Sequence, residues 1–295
     1  MNRRRFLQVA AIGTAAAAVG TVGYTLAIEP HWLEITERDL PITGLPDALV
    51  GASLVQLSDL HIGPQVSDVY LRESFARVRA LTPDIVVVTG DFISYYEARG
   101  AAQFDHLREV LADFPKGRLA TLGILGNHDY GINWRDVVVA SKVVTEAERA
   151  GIRMLRNETH AVGGLDVIGV DDLWARQTNV ERALEGRSND AALVLVHNPD
   201  TADKFAWPGY RGWMLSGHTH GGQCKAPFLP PPLLPVENKR YVSGAVTVDD
   251  ARTLYISRGV GHLIQARFNV RPEITVFTLR RSTPARARVV RGDRR

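Results

Sequence analysis

The stretch Leu119-Ala120-Thr121-Leu122-Gly123-Ile124-Leu125-Gly126-Asn127-His128-Asp129 decides the fold. It opens as an apolar run of strand length. It then stops at a glycine followed by an amide, an imidazole and a carboxylate. The same arrangement recurs along the chain. After Leu54–Leu57 comes Ser58-Asp59-Leu60-His61, and after Ile85–Thr89 comes Gly90-Asp91. After Leu193–Val196 comes His197-Asn198, and after Trp213–Ser216 comes Gly217-His218-Thr219-His220-Gly221-Gly222. Five candidate strands therefore end in Asp, Asn or His. Ligand sites in α/β folds form at the carboxyl ends of strands, so these five ends predict a single site.

The sequence between them reads as alternating elements. Val69, Leu71, Phe75, Val78 and Leu81 have helical spacing and predict a helix over 68–81, with further helices over 104–114 and 134–150. They alternate with strands over 52–57, 84–89 and 119–125. The second half is richer in strands, at 161–162, 167–170, 192–196, 213–216, 242–248, 253–257 and 274–279, with short helices at 180–184 and 201–205. Residues 28–50 read as an edge strand followed by a proline-bounded loop. Alternation followed by strand-rich sequence predicts a layered α/β domain with two sheets. The stretch Ala226–Pro235, APFLPPPLLP, is either a rigid connector or a hydrophobic lip near the site or a membrane.

Composition narrows the class. The chain has 295 residues, 45% apolar and 23% charged, which are ordinary globular values. A disordered chain, a collagen-like chain and a polytopic membrane protein are excluded. Cys224 is the one cysteine, so no disulfide can form within the chain. The net charge of +3 is unevenly spread. Arg3, Arg4 and Arg5 give the first 27 residues +3, and seven arginines against Asp293 give residues 280–295 a charge of +6. The body between them carries −6. An acidic body argues against a nucleic-acid binder whose whole surface is a phosphate trap, so no nucleic-acid-binding role is expected.

The N-terminus reads as an address. Arg3-Arg4-Arg5-Phe6-Leu7 precedes an apolar stretch from Val9 to Ile28, the layout of an export signal. Its twin arginines followed by Phe-Leu resemble the twin-arginine export motif, which implies the twin-arginine export machinery as a partner. The alternative is a retained N-terminal anchor, because the apolar stretch has about the ~20 residues needed to span a bilayer. Residues 1–27 are thus expected to be a signal or an anchor, 28–280 the catalytic domain, and 281–295 a disordered arginine-rich tail suited to an anionic envelope or lipid surface. The protein is expected to act outside the cytoplasm, in the periplasm, on the outer face of the membrane or in the cell wall, either free or anchored by its N-terminus.

The strand ends supply two Asp, one Asn and several His. Carboxylate, amide and imidazole ligands suit Mn²⁺, Fe²⁺ or Zn²⁺, and the lack of thiolates argues against a structural zinc site. The set exceeds what one ion takes, and two ions sharing one carboxylate account for it. A lone His or Asp at a strand end is more often a cap or turn residue. Two specified four-residue strings together have odds on the order of 10⁻⁶ by chance.

In this order and spacing, Asp59-X-His61, Gly90-Asp91, Gly126-Asn127-His128-Asp129, His197 and Gly217-His218-X-His220 resemble the calcineurin-like metallophosphoesterase superfamily. The stretches Gly217–Gln223, Tyr241–Gly244, Ile256–Gly259 and Arg267–Asn269 extend the likeness to the YkuE/YaeI-type bacterial phosphoesterases, over about residues 50–280. The resemblance implies a four-layer α/β fold, with two mixed β-sheets packed face to face and flanking helices. It implies that Asp59, His61 and His220 bind one metal, that Asn127, His197 and His218 bind a second, and that Asp91 bridges them. It implies that His128 contacts the phosphate and protonates the leaving group, with Asp129 tuning or orienting it. The reaction expected is hydrolysis of phosphate esters, diesters foremost, by a hydroxide shared between two divalent ions. A lipid-linked or pyrophosphate substrate, such as a phospholipid head group or a UDP-diacylglucosamine-like molecule, is the alternative. A metal-dependent binding protein without activity ranks below both, because His128 and Asp91 are present. Arg258 and Arg267 could each reach a substrate phosphate or form a salt bridge. Cys224 reads as a packed thiol, the tryptophans as core or rim, and Asp171-Asp172 as a cap.

Overall fold

The computed structural model describes residues 2–94, 100–188 and 190–282. Twelve strands among them form two six-stranded mixed sheets. The first sheet contains β1 (Glu34–Ile42), β2 (Ser53–Leu57), β3 (Ile85–Thr89), β4 (Ala120–Ile124), β5 (Arg153–Met154) and β12 (Glu273–Arg281), in the order β1-β12-β2-β3-β4-β5. β2 to β5 run parallel, and β12 enters antiparallel to β2. The second contains β6 (Glu158–Val162), β7 (Leu165–Gly169), β8 (Ala192–Leu195), β9 (Gly212–Ser216), β10 (Gly244–Thr247) and β11 (Arg252–Ile256), in the order β10-β11-β9-β8-β7-β6. Its central strands β7, β8, β9 and β11 are parallel.

The strand residues explain the layering. Alternate side chains of a strand point to opposite faces, and here both faces are apolar. Leu54, Ile85, Val87, Leu122 and Ile124 of the first sheet pack against Leu165, Val167, Leu193, Leu195 and Leu215 of the second. The other faces of β2 and β3, with Val55, Leu57, Val86 and Val88, meet three helices, α2 (Asp68–Ala80), α3 (Gly100–Leu111) and α4 (Val137–Arg149). Ile168, Val194, Met214 and Ile256 meet α5 (Val180–Glu185) and α6 (Thr201–Lys204) on the far side. Strands buried on both faces read as continuous Val/Ile/Leu runs, as IVVVT in β3 does. The resulting order is helices, sheet, sheet, helices, as the sequence predicts.

Differences from the sequence reading are local. α4 begins at Val137 rather than Trp134, because Asp136 caps it by accepting from the N–H groups of Val138 and Val139 at 2.9 and 3.1 Å. α3 begins at Gly100, before Phe104. The two-residue β5 carries no periodicity to detect. The last strand runs through Arg281, so it reaches one residue into the predicted tail, whose residues 283–295 lie outside the described residues.

At the N-terminus, α1 (Arg3–Gly23) is capped by Asn2, and none of its residues is buried. Helical backbone continues to His31. The span of 29 residues is long and apolar enough to cross a membrane.

Candidate metal centre

The parallel strands of both sheets deliver their carboxyl ends to one place. Gln56 of β2 ties the sheets together there, donating to the Ser216 carbonyl at 2.9 Å and to Thr89 Oγ1 at 3.0 Å. The loops beyond carry two groups of buried ligand atoms. Asp59, His61 and His220 form one, and Asp91, His197 and His218 form the other, the atoms of each lying within 4.8 Å of one another. In the first group, His61 Nε2 and His220 Nε2 are 3.1 Å apart, and His220 Nε2 is 3.3 Å from Asp59 Oδ1. In the second, His197 Nε2 lies 3.1 Å from Asp91 Oδ2 and 3.2 Å from His218 Nδ1. Asp91 Oδ2 is also 3.6 Å from His61 Nε2. This carboxylate therefore stands between the groups.

The backbone pays for this convergence locally. Asp59, His61, Asp91, His218 and His220 all have left-handed φ, between 50° and 71°. Such residues cost on the order of 1 kcal/mol or more each and persist where surrounding structure holds them. Here the hold is visible. The Asp59 carboxylate accepts from the His218 N–H at 3.1 and 3.2 Å. Asp91 Oδ1 accepts from the His128 N–H at 2.9 Å. A Cβ on Gly217 would fall 1.9 Å from Ser58 Oγ and 2.4 Å from Asp59 Oδ2, so only glycine fits that turn.

Two imidazoles are oriented from behind. His197 Nδ1 donates to the Thr89 carbonyl at 2.7 Å, and His218 Nε2 donates to the Pro235 carbonyl at 2.8 Å. Each ring thus presents its other nitrogen to the centre, the arrangement that fixes metal-ligating histidines. Asn127 is wholly buried, and neither its Oδ1 nor its Nδ2 has a hydrogen-bond partner among the described residues. Buried amides are almost always satisfied. A metal ion taking Oδ1 accounts for this one, and the carboxylate, imidazole and amide donors suit a borderline divalent cation. The residues therefore fit two ions.

Burial dominates the electrostatics. It pushes Asp59 up to about 6, opposed mainly by His197, and drops His61 and His218 to about 3. It also holds His220 well below the ordinary imidazole value. These imidazoles are neutral, the form that ligates. Burial opposes charge on Asp91 and His197 too, but each outweighs it for the other. Asp91 lies well below the carboxylate range, and His197 rises to about 10.

His128 is set apart. Its ring centroid is 5.2 Å from that of His61 and 6.2 Å from that of Trp134, and it lines a cavity of about 330 Å³ with Asp91, His218 and His220. Burial lowers its imidazole pKa, against the pull of Asp91. Asp129 is committed to the backbone. Oδ1 accepts from Phe92 and Ile93 N–H at 2.8 and 3.2 Å, and Oδ2 from Gly126 N–H at 2.8 Å. Asp129 and His128 share one loop, Asn127–Tyr130. Burial, then the nearby Asp91, raises the Asp129 pKa well above the usual range.

Arg258 does not line the cavity. Its Nε binds Glu273 at 2.7 Å and its Nη2 binds Glu34 at 2.9 Å, so the salt-bridge alternative describes it. Arg267 forms neither expected contact, since it is fully buried among backbone carbonyls. Cys224 is half-buried outside both groups. Asp172 caps a turn, accepting from Ala175 N–H at 2.8 Å, whereas Asp171 binds Tyr130 and Arg156. Sequence reasoning gave no site role to Trp134 and Trp174. They stack at 4.7 Å and line the cavity, and the Trp174 and His218 rings meet at right angles with centroids 4.4 Å apart. The position of Trp134, soon after Gly126–Asp129, was the available signal.

Comparison with known proteins agrees with this geometry. Residues 52–222 match the calcineurin-like phosphoesterase family. The chain is 32% identical to the phosphodiesterase YaeI of Escherichia coli, over 95% of this chain and 99% of that protein. It is also 32% identical to the uncharacterized metallophosphoesterase YkuE of Bacillus subtilis, over 95% and 98%. The UDP-2,3-diacylglucosamine pyrophosphatase LpxG of Chlamydia trachomatis is 25% identical over 89% of this chain and 94% of its own length.

Proposed function

The chain belongs to the calcineurin-like phosphoesterase family, and from that premise we propose that it hydrolyses phosphate diesters outside the cytoplasm. Asp59, His61 and His220 hold one divalent ion, and Asn127, His197 and His218 a second, with Asp91 shared. Two such ions, when bound, supply positive charge for the phosphoryl oxygens and make a water molecule acidic enough to react near neutral pH. The protein's own residues do the rest. His128 contacts the phosphate and gives a proton to the departing oxygen. Asp129 keeps the His128 loop in register. Trp134 and Trp174 flank the ester group and exclude water.

The observation that carries this reading is the position of Asp91 between two buried ligand groups beneath one open cavity. Among the described residues lining that cavity, none is Lys or Arg. That lining suits a singly charged diester better than a dianionic monoester. A pyrophosphate-linked lipid is the second reading, favoured by the apolar wall and the name of the Chlamydia relative. Arg3-Arg4 with Phe6-Leu7 addresses the chain to twin-arginine export, and three arginines before an apolar helix keep the N-terminus inside. The arginines of 281–295 suit an anionic envelope surface.

The test is turnover of bis-p-nitrophenyl phosphate beside p-nitrophenyl phosphate by the metal-stripped chain given Mn²⁺, with Asp91→Ala and His128→Ala. Metal-dependent diester turnover, lost in both variants, is the expected result. Turnover of the monoester alone makes the protein a phosphatase. No turnover of either, with two metals bound, sinks the reading.

A further inference from the structure

Away from the ligand groups the cavity wall is apolar, formed by Trp134, Trp174, Leu233, Pro235, Leu263 and Ile264. The wall continues outward as a lip. Leu233 is 79% exposed and Ile264 70%, and Phe228 and Leu229 project from the same proline-rich loop. Apolar side chains clustered at the mouth of a polar site mark a contact surface.

The lip is joined to the N-terminal helix. Beside Ile264, Gln265 Nε2 donates to the Leu26 carbonyl at 3.0 Å, and Arg267 N–H donates to the Thr25 carbonyl at 3.0 Å. Phe268 meets the Tyr24 ring edge-on at 6.5 Å, and its carbonyl accepts from Lys225 N–H, where the proline-rich loop begins. Glu29 is wholly buried and accepts from the N–H groups of Asn269 and Val270 at 2.9 and 2.5 Å. One segment, 264–270, thus holds both the end of the helix and the edge of the cavity. These contacts to residues 24–26 would be lost on cleavage after Ala27, and they favour a retained helix. Its 29 residues reach about 44 Å at 1.5 Å per residue, more than the ~30 Å hydrocarbon core. Trp32 follows at once, exposed and covered by the Arg271 guanidinium 4.3 Å from its ring. That pair suits a headgroup layer.

The geometry points to an active site that faces the membrane: α1 spans the bilayer, the lip rests on the leaflet beside it, and the cavity takes a phosphodiester lipid from that leaflet. The inference rests on the phosphodiesterase reading for its chemistry. Water adds across one P–O bond. The bond to the leaving alcohol breaks, a P–OH forms, and the leaving oxygen takes a proton. The products are an alcohol and a phosphomonoester, and the acyl chains need not leave the bilayer.

Two measurements on the full chain in phosphatidylcholine–phosphatidylglycerol vesicles test it. With Phe228→Trp, the emission added over the parent is expected to fall by about half when the acyl chains carry bromine. Unchanged emission means that the lip faces water and overturns the inference. The second compares hexadecyl with methyl p-nitrophenyl phosphate, which share a leaving group. At least a tenfold higher kcat/KM for the hexadecyl ester is expected. That preference should be lost in Phe228→Ser with Leu229→Ser, neither of which lines the cavity, while turnover of the methyl ester holds. Equal turnover of both esters by the parent overturns the lipid assignment. Bromine quenching with no turnover of any ester keeps the membrane-facing site and removes the phosphodiesterase reading instead.

Discussion

Gly126 stands so close to Asp91 that a Cβ on it would lie 2.3 Å from Asp91 Oδ1 and 2.6 Å from the Asp91 backbone nitrogen. The loop after β4 thus presses on the one carboxylate that stands between the two ligand groups. Gly126→Ala must push Asp91 aside, because both colliding atoms are fixed by burial. We expect metal content to fall from two ions per chain and activity to drop at least about 100-fold, since displacing a positioning group by an ångström costs that much. Elemental analysis beside turnover decides it. Full metal content with normal rate would show that the loop can relax.

His128 and Asp129 are neighbours in sequence with separable tasks. His128→Ala is expected to lower kcat by about 10²–10⁴-fold, the usual worth of a positioned acid, and to leave both metals bound. Asp129→Asn acts on folding. Its carboxylate accepts from three backbone N–H groups, and an amide can present its oxygen to only one side. A loss of about 1–3 kcal/mol in urea unfolding is expected. A variant that lost rate without losing stability would instead place Asp129 in the chemistry.

Much of this was legible in the sequence, for a physical reason. Strands buried on both faces are mostly apolar, so β2, β3, β4, β8 and β9 stood out, and the polar residues just beyond them read as turns or ligands. What stayed hidden depends on contacts between distant segments. Nothing local places β12 between β1 and β2, where Phe277 pairs with Leu54. Nothing local shows Trp134 reaching Trp174, because their stacking needs the loops after β4 and β7 brought together. Arg258 stayed open between a phosphate contact and a salt bridge because the sequence does not reveal Glu34, 224 residues away, beside it.

His262 gives stability a pH dependence outside the ligand groups. It is wholly buried, bonds through Nε2 to the Gln65 carbonyl at 3.0 Å, and faces the His31 ring 6.3 Å away. Burial lowers its pKa to about 4, partly offset by the Gln65 carbonyl. The folded state therefore refuses a proton that the unfolded chain accepts near pH 6.5. Stability is full above about 6.5, declines as pH falls towards 4, and gains no further slope below that. His262→Gln removes one titrating group. Its unfolding free energy should fall less steeply than the parent's across this window, by about 1.4 kcal/mol per pH unit. Parallel curves would mean that His262 is protonated, or stays neutral, in both states.

Arg267 links folding to the first ligand group. Its buried guanidinium donates to the carbonyls of Arg258, Gly259 and Gly261 at 2.9, 3.3 and 2.8 Å, and to that of Val270 at 3.2 Å. Burial lowers its pKa only to about 10, so it stays charged at neutral pH. The loop it grips continues the hold inward. Val260 N–H donates to the Ser58 carbonyl at 2.9 Å, and Gly261 N–H to that of Asp59 at 2.7 Å. Arg267→Met keeps most of the volume and removes the donor from the carbonyls of Arg258, Gly261 and Val270, while that of Gly259 keeps the Glu273 N–H at 2.9 Å. A cost of about 3 kcal/mol or more follows from several unmet buried acceptors. Because the loop supports Asp59 and not Asp91, metal titration should show weakened binding at one site and an unchanged second site. Arg267→Lys, with a compact ammonium that cannot reach every carbonyl, should fall between the two. Equal weakening of both sites would mean that Arg267 supports the domain as a whole rather than the Asp59 loop.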